Sequence, residues 1–153
     1  MKPRFRRATI ADAKEIKKLV DIYSKRNEML PKSFHDIYEN IRDYHVAVQK
    51  NQVIACCALH IVWENLAEIR SLAVAENAKK RGIGQILVNR CVKEARELGL
   101  PRVFCLTYVP DFFAKCGFSR IDKSELPHKV WGDCVRCNKF PDCGEVPMAL
   151  DLN

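Results

Sequence analysis

Apolar residues near the start of the chain recur at the spacing of one helical face. They are Ile16, Leu19, Val20 and Tyr23. Thr9, followed three residues later by Asp12, resembles a capping box, which marks the start of a helix. Ser33 and Asp36 repeat this arrangement, so the sequence predicts a second, shorter helix after the first.

The strands are predicted by alternating or continuous apolar runs. The stretch YHVAVQKNQVIACCALHIVW predicts two strands joined by a tight turn at Asn51 and Gln52. RFRRA, AEIRSLAV, RVFCLTY and EVPMALDL predict four more strands. Helical spacing returns between Ile83 and Leu98 and stops at Gly99, and DFFAKCGF predicts a short helix. The resulting order, β-αα-βββ-α-β-α-β, indicates an α/β protein with a mixed sheet and helices on both sides.

Length, hydrophobicity and charge narrow the class of protein. The 153 residues suit one globular domain spanning 1–153, and 48% of them are hydrophobic. No apolar run reaches the roughly 18 residues of a membrane span. The basic N-terminus lacks the apolar core of a signal peptide, so we expect a soluble cytoplasmic protein. A net charge of +7 suits a polyanionic partner, which leaves nucleic acid, an acidic surface or a phosphorylated cofactor open.

The eight cysteines do not indicate a disulfide framework. Four lie in strand or helix patterns and are expected to be buried thiols: Cys56, Cys57, Cys91 and Cys105. Cys134, Cys137 and Cys143, with His128 upstream, offer the ligands of a structural zinc site. The alternative is three free or partly buried thiols in an irregular loop, because this spacing is not a common zinc pattern.

The stretch KKRGIGQIL, residues 79–87, combines three cationic residues with two glycines, which have no side chain. Lys79, Lys80 and Arg81 precede Gly82 and Gly84, and a predicted helix follows at once. Such a turn presents unpaired backbone N–H groups at the start of a helix, and glycine lets an anion approach them closely. The loop therefore suits a diphosphate. The alternative is a solvated basic loop, and the Rossmann and Walker patterns both fit poorly.

EIRSLAVAENAKKRGIGQILVNRCVKEARELGL, together with VFCLTYVPDFFAKCGF, resembles the GCN5-related N-acetyltransferase (GNAT) family. The family signature is a Leu-x-Val strand, an Arg/Gln-x-x-Gly-x-Gly/Ala loop and a later aromatic-aromatic-x-x-x-Gly-Phe segment. Lys79 stands where the family usually has Arg or Gln, and it preserves a positive charge. The resemblance implies the GNAT fold, whose central mixed, mostly antiparallel sheet is flanked by helices.

The same resemblance implies that acetyl-CoA is the cosubstrate. The main chain at the end of AEIRSLAV would bind the pantetheine arm, the loop amides would hold the pyrophosphate, and the strand VFCLTY would splay away to admit the arm. Two aromatic residues would flank the thiol end, with ordinary core packing as their alternative. The implied cofactor-binding residues are Leu72, Ala73, Val74, Lys79, Lys80, Arg81, Gly82, Ile83, Gly84, Gln85, Phe112 and Phe113.

A closer likeness concerns the amine that is acetylated. FRRATIADAKEIKKLV, NEMLPKS, EIRSLAV, LTYVPDFF and SELPHKVW look like the acetyltransferase part of short, stand-alone N-acetylglutamate synthases. That likeness implies acetylation of the α-amine of L-glutamate, a step of arginine biosynthesis, by a protein without the arginine-feedback domain and with a homodimer as one option. The alternatives are a GNAT enzyme acting on another small amine and a non-catalytic CoA- or nucleic-acid-binding module. No aromatic-interleaved basic stripe supports nucleic acid.

A glutamate site needs cations for two carboxylates. Arg70 is the strongest candidate, since a cation inside an apolar strand needs a partner. Strict alternation would place it on the same face as Glu68, Leu72 and Val74. The other candidate substrate-binding residues are Lys32, Thr107, Lys129 and Arg136. For each cation the alternative is a solvated surface charge.

Glu68 is the candidate that takes or relays the proton of the attacking amine. Its alternative is a plain salt bridge with Arg70. A backbone N–H near Leu72 would stabilise the oxyanion. The general acid is harder to assign, because many relatives carry Tyr where this chain has Phe113, which leaves Tyr108 as the nearest phenol in sequence.

Overall fold

In a computed structural model, residues 2–127 and 144–152 are described. Seven strands form one sheet in the order β1-β2-β3-β4-β5-β7-β6. The strands are β1 Arg4–Arg7, β2 Tyr44–Gln49, β3 Gln52–Trp63, β4 Leu66–Val74, β5 Arg102–Thr107, β6 Ser119–Arg120 and β7 Val146–Asp151. The helices are α1 Ala13–Lys25, α2 Phe34–Glu39, α3 Ile83–Glu97 and α4 Pro110–Lys115. The predicted order of elements is confirmed, with the two-residue strand β6 as an addition.

The pairing of the strands is mixed and mostly antiparallel, as expected. β4 and β5 run parallel, and the other neighbouring strands in the sheet run antiparallel. A connection that contains α3 joins the parallel pair, as the geometry of parallel strands requires.

The helix-start signals act as the sequence predicts. The backbone N–H of Thr9 donates to Asp12 Oδ2 at 2.7 Å, and Asp12 is the residue immediately before α1. Ser33 accepts a hydrogen bond from the backbone N–H of Asp36 at 3.0 Å, which caps α2. These bonds satisfy backbone donors that the helix itself leaves unpaired.

The hairpin turn between β2 and β3 differs from its predicted place by one residue. The turn residues are Lys50 and Asn51, with φ of 54° and 61°, rather than Asn51 and Gln52. Two consecutive left-handed residues are the geometry that matches the twist of a two-residue hairpin. Gln52 instead pairs with Gln49 as the first residue of β3.

Helices cover both faces of the sheet. On the face that we call the α1 face, Ile16, Val20 and Ile37 pack with Val46 and Cys56. On the opposite face, the α3 face, the core contains a stripe of α3 together with residues of β3, β4, β5 and α4. That stripe is Ile83, Leu87, Val88, Cys91, Val92 and Ala95. All four cysteines predicted to be buried are buried: Cys56, Cys57, Cys91 and Cys105.

Candidate active site

The two parallel strands at the centre of the sheet separate after a short contact. In the described part of the chain, β4 and β5 pair at Ala67 with Val103 and at Glu68 with Phe104. Both strands then continue, β4 to Val74 and β5 to Thr107, without further pairing to each other among these residues. The opening between the strand ends is the splayed gap that the family resemblance implies.

A β-bulge lies in β4 beside this gap. Arg70 pairs with Ala58 and Ala73 pairs with Cys56, so two residues of β4 lie opposite one residue of β3. Ser71, at the bulge, has a φ of 53°, in the left-handed region that non-glycine residues rarely adopt. Its carbonyl oxygen accepts a hydrogen bond from the Cys56 thiol at 3.4 Å.

The bulge overturns one prediction about the faces of β4. Arg70 was expected to share a face with Leu72 and Val74, but that prediction is wrong. Leu72 and Val74 pack on the α3 face, whereas Arg70 pairs with Ala58, which lies in the core of the α1 face. One inserted residue reverses the alternation of side chains beyond it, so strict period-two counting fails at Ser71.

The N-terminus of α3 lies at the open end of the gap. Gly82 precedes the helix with a φ of 77°, and no side chain caps this end or places an acidic group in its first turn. A Cβ on Gly84 would lie 3.4 Å from the Phe112 ring and 3.7 Å from Val74 Cγ2. Glycine at 84 therefore lets the first turn pack closely on the strand end and on α4, in addition to the anion approach predicted from sequence.

Lys79 already has partners in the loop before α3. Its ammonium lies 4.9 Å from the Tyr23 ring centroid and 3.5 Å from Glu76. The contact with Tyr23, together with Glu76, raises the pKa of Lys79. Glu76 also pairs with Arg26, and this pairing lowers the pKa of Glu76. The Tyr23 hydroxyl donates to the carbonyl of Val74, which ties this group to the end of β4.

The two remaining cations of the loop are exposed to solvent and have fewer contacts than Lys79. Lys80 and Arg81 are exposed, and Arg81 Nη1 lies 3.4 Å from Gln49 Oε1. Lys80 has a φ of 64°, so it lies on a sharp left-handed bend just before Gly82. Cations beside an uncapped helix N-terminus are an arrangement that attracts phosphate groups.

The two adjacent aromatic residues of α4 have different surroundings. Phe113 is buried and packs edge-to-face against Phe118, with ring centroids 5.3 Å apart. Phe112 is half-buried, and its ring lies 3.4 Å from the place that a Cβ would occupy at Gly84. Phe113 is thus a core residue, while Phe112 lies between α4 and the first turn of α3.

The α1 face carries an ion pair at the point where β4 and β5 separate. Arg70 Nε donates to Glu68 Oε1 at 2.6 Å, so the ion pair named as an alternative role for Glu68 is present. The exposed fractions of these side chains are 22% for Arg70 and 13% for Glu68. His60 lies directly opposite Glu68, and its Nδ1 is 2.7 Å from Asp43 Oδ2.

A buried phenol supports the bulge on the same face. Tyr44 is 3% exposed and hydrogen-bonds to the Ser71 side chain. Burial raises the pKa of Tyr44 well above that of a free phenol. The hydroxyl therefore stays protonated and acts as a fixed part of the site.

The sequence matches the acetyltransferase (GNAT) family over residues 13–118. The chain belongs to this family. It is 42% identical over 147 residues to an uncharacterized N-acetyltransferase of Chlorobaculum tepidum, covering 96% of this chain and 95% of that one. It is 37% identical over 138 residues to an amino-acid acetyltransferase of Mycobacterium tuberculosis, covering 88% of this chain and 79% of the relative.

Solved structures of related acetyltransferases share the fold. Rv2747 from Mycobacterium tuberculosis, in complex with CoA and NLQ, is similar with a TM-score of 0.86 and 34% identity over 99% of this chain and 100% of that one. N-acetylglutamate synthase from Neisseria gonorrhoeae, complexed with CoA and N-acetyl-glutamate, has a TM-score of 0.89 at 23% identity. The match covers 99% of this acetyltransferase and 35% of the larger protein, and at this identity it shows the fold alone.

The other residues predicted for the site of this acetyltransferase occupy varied places. Thr107 is buried at the end of β5, where its Oγ1 accepts from the backbone N–H of Val109 at 2.8 Å. Tyr108 is half-buried, and its Cε1 lies 3.9 Å from the place that a Cβ would occupy at Gly144. Lys32 is half-buried in the segment between α1 and α2.

Several predicted residues lie outside the described part of the chain. They are Lys129 and Arg136, predicted for substrate, and His128, Cys134, Cys137 and Cys143, predicted for zinc. Across residues 2–127 and 144–152 no group of three or more His, Cys, Asp or Glu could hold a metal ion. The zinc site stays a prediction from spacing. No helix in the described ranges is long and apolar enough to cross a membrane.

His60, Asp43, Tyr44 and Ser71 were missed by sequence reasoning. Each depends on which residues of β2, β3 and β4 face one another, and the sequence does not give that register. The available signal was a polar residue, His60, within an otherwise apolar strand.

Proposed function

We propose that this acetyltransferase moves the acetyl group of acetyl-CoA to the α-amine of L-glutamate, as an N-acetylglutamate synthase of arginine biosynthesis. The observation that carries the proposal is the Glu68–Arg70 pair on the α1 face, beside the gap between β4 and β5. It combines a carboxylate that can take a proton with a cation that can bind a substrate carboxylate. We also propose that the protein acts in the cytoplasm, and a homodimer is compatible with this function.

This acetyltransferase uses acetyl-CoA and acts on an amino acid. The relative that is 37% identical is named an amino-acid acetyltransferase, and the similar structure of Rv2747 contains CoA. The step from amino acid to glutamate rests on the five segments that resemble N-acetylglutamate synthases and on the charges of the site.

The residues around the gap fit acetyl-CoA. The main chain of Leu72, Ala73 and Val74 would pair with the pantetheine arm, since this stretch of β4 lies beyond its described pairing with β5. The amides from Arg81 to Gln85 would hold the pyrophosphate at the uncapped start of α3. Bound there, acetyl-CoA supplies the thioester that the amine attacks.

Direct attack in a ternary complex requires an unprotonated amine, and we assign Glu68 the role of receiving or relaying its proton. The backbone N–H of Leu72, at the bulge, would face the developing oxyanion. Phe113 cannot donate a proton to the leaving thiolate, because its side chain is apolar and buried. Tyr108 or water would supply that proton.

The positive charge of Arg70 would favour an acceptor that carries a carboxylate. Arg70 has a planar guanidinium suited to a carboxylate, and it is partly exposed on the α1 face. A substrate with a cation in that place would meet like charge. Lys32 is proposed as a second contact from the segment between α1 and α2, together with Thr107, Lys129 and Arg136.

The direct experiment is a thiol-release assay with acetyl-CoA and a panel of amino acids, polyamines and amine antibiotics, followed by mass spectrometry of the product. We expect N-acetylglutamate, modified on the α-amine. Release of CoA only with another amine would retain the acetyltransferase and reject the substrate. CoA binding without release by any amine would favour a non-catalytic binding module.

A further inference from the structure

His60 occupies a definite place beside the Glu68–Arg70 pair. In the register of β3 and β4, His60 lies directly opposite Glu68, and Ala58 lies opposite Arg70. Side chains directly opposite each other on one face have Cβ atoms about 4.5–5.5 Å apart. The Cβ atoms of His60 and Glu68 are therefore neighbours on the α1 face.

Asp43 holds the imidazole in one orientation. Asp43 ends the short 3₁₀ turn Ile41–Asp43 before β2, and its Oδ2 lies 2.7 Å from His60 Nδ1. With the Nδ1 proton donated to this carboxylate, Nε2 carries the lone pair. The exposed fractions are 22% for His60 and 25% for Asp43, so the ring reaches solvent.

We propose that His60, oriented by Asp43, carries the proton of the acceptor amine from Glu68 to solvent. This role rests on the proposed amine acetylation. The amine N–H bond breaks as an O–H bond forms on Glu68. That O–H bond then breaks as its proton passes to a solvent water, which gives up one of its own protons to form an N–H bond on His60 Nε2. The imidazolium finally releases the proton to water. No electrons change hands, and the site returns to its starting state.

The surrounding charges suit such a relay. Among the described residues, the polar groups that the register and the hydrogen bonds bring near His60 are Asp43 before β2, Tyr44 on β2, and Glu68 and Arg70 on β4. Arg70 pairs with Glu68, and Asp43 pairs with His60. Arg70 favours the ionised form of Glu68, so a proton that Glu68 accepts is readily passed on, and Glu68, at 13% exposed, has less contact with water than His60.

The other described histidines with carboxylate partners lie elsewhere. His45 is buried on the α3 face, with Nε2 2.8 Å from Glu94. His35 is 85% exposed on α2 and pairs with Glu39. His35 therefore provides a matched control, because it is also a histidine paired with a carboxylate but lies exposed on α2 rather than opposite β4.

The test compares His60→Gln, Asp43→Asn and His35→Gln in steady-state kinetics with acetyl-CoA and the best amino-acid acceptor of the panel. We expect kcat to fall on the order of tenfold in the first two variants, with both KM values within about twofold of wild type. Added imidazole should restore part of the lost kcat in His60→Gln, because a free base can replace the relay. His35→Gln should match the wild type.

The outcomes separate this inference from the proposed function. Unchanged kcat in His60→Gln, or a fall that imidazole does not reverse while thermal unfolding is unchanged, overturns the relay and leaves the acetyltransferase intact. If His60→Gln does not fold, Asp43→Asn decides: an unchanged kcat there overturns the relay. A wild-type protein that acetylates no amine removes both proposals.

Discussion

Arg70 donates a hydrogen bond from Nε to Oε1 of Glu68 at 2.6 Å, from two residues further along β4. Both side chains lie on the α1 face, at the point where β4 leaves β5. In the proposed reaction, the group that binds a substrate carboxylate thus contacts the group that receives the amine proton. Under the proposal, this hydrogen bond would couple binding of the acceptor to removal of its proton.

Replacing Arg70 should therefore affect the amino-acid substrate more than the cosubstrate. We expect Arg70→Ala to raise the KM for L-glutamate at least about tenfold, and the KM for acetyl-CoA by less than about twofold. Arg102→Ala is the matched control, because Arg102 also pairs with carboxylates but lies at the start of β5, where β4 and β5 are still close. Equal effects of the two substitutions on glutamate kinetics would rule out Arg70 as the carboxylate-binding group.

Substitution of Gly82 tests whether the loop before α3 binds the diphosphate of CoA. A carboxylate introduced by Gly82→Asp would repel the phosphates at the N-terminus of α3, and the left-handed φ of 77° adds strain. Gly99→Asp is the control, since Gly99 has a φ of 83° and equally open surroundings at the other end of the helix. We expect calorimetry to show that Gly82→Asp raises the dissociation constant for CoA at least about tenfold relative to wild type, whereas Gly99→Asp does not. The affinity of the wild-type protein for CoA should also fall as the salt concentration rises.

An affinity for CoA that Gly82→Asp leaves unchanged would mean that this loop does not hold the cofactor. Equal weakening in both variants would indicate that strain in α3, rather than charge at its N-terminus, controls binding.

The stability of the bulge should depend on whether the residue at position 71 tolerates a left-handed φ. Ser71→Val and Ser71→Gly both lose the contact with the Tyr44 hydroxyl, but only valine is strongly disfavoured at a φ of 53°. We expect Ser71→Val to lower the free energy of unfolding by about 1–2 kcal/mol relative to Ser71→Gly, and to raise the KM for glutamate by displacing Arg70. Ser119→Val, on the exposed strand β6, should change neither quantity. If the two Ser71 variants are equally stable and active, the bulge does not position the site.

The capping box before α1 should make stability depend on pH. The Arg6 guanidinium, 2.7 Å from Asp12, together with the Thr9 backbone N–H, lowers the pKa of Asp12. The contribution of Asp12 is therefore fully present above about pH 4 and is lost as the pH falls through the lowered folded value. Asp12→Asn should reduce the free energy of unfolding at neutral pH by about 1–2 kcal/mol and much less in strong acid.

Asp21→Asn is the control for this prediction, since Asp21 is more exposed than Asp12 and pairs with Lys17 within α1. Denaturant unfolding at several pH values measures both variants. A loss of stability in Asp12→Asn that is the same in acid and at neutral pH would contradict the assigned role of the Asp12 charge.

Local spacing predicted most of the fold. The stripe that includes Leu87, Cys91 and Ala95 is buried because a helical period places these residues on one face, and the period is visible in the sequence. The same holds for the caps at Thr9 and Ser33, whose hydrogen bonds span three residues. The separation of β4 and β5 was expected only through the resemblance to known acetyltransferases.

The geometry of the site was harder to predict, because it depends on contacts distant in sequence. The bulge at Ser71 leaves the apolar pattern of β4 intact but moves Arg70 to the face opposite Leu72. His60 lies opposite Glu68 only through the register of a hairpin, and a shift of one residue would separate them. Phe112 and Phe113 are equivalent in sequence, yet packing against Phe118 buries only Phe113 fully.

The most direct test of the account is the ratio of kcat/KM for L-glutamate to that for L-lysine in the wild-type protein. A cation in the place of the side-chain carboxylate would meet Arg70, at a cost of several kcal/mol. The account predicts a ratio of at least about 100 in favour of glutamate, with L-glutamine and L-aspartate between the two. A ratio below one would contradict the assignment of a dicarboxylic amino acid as the acceptor.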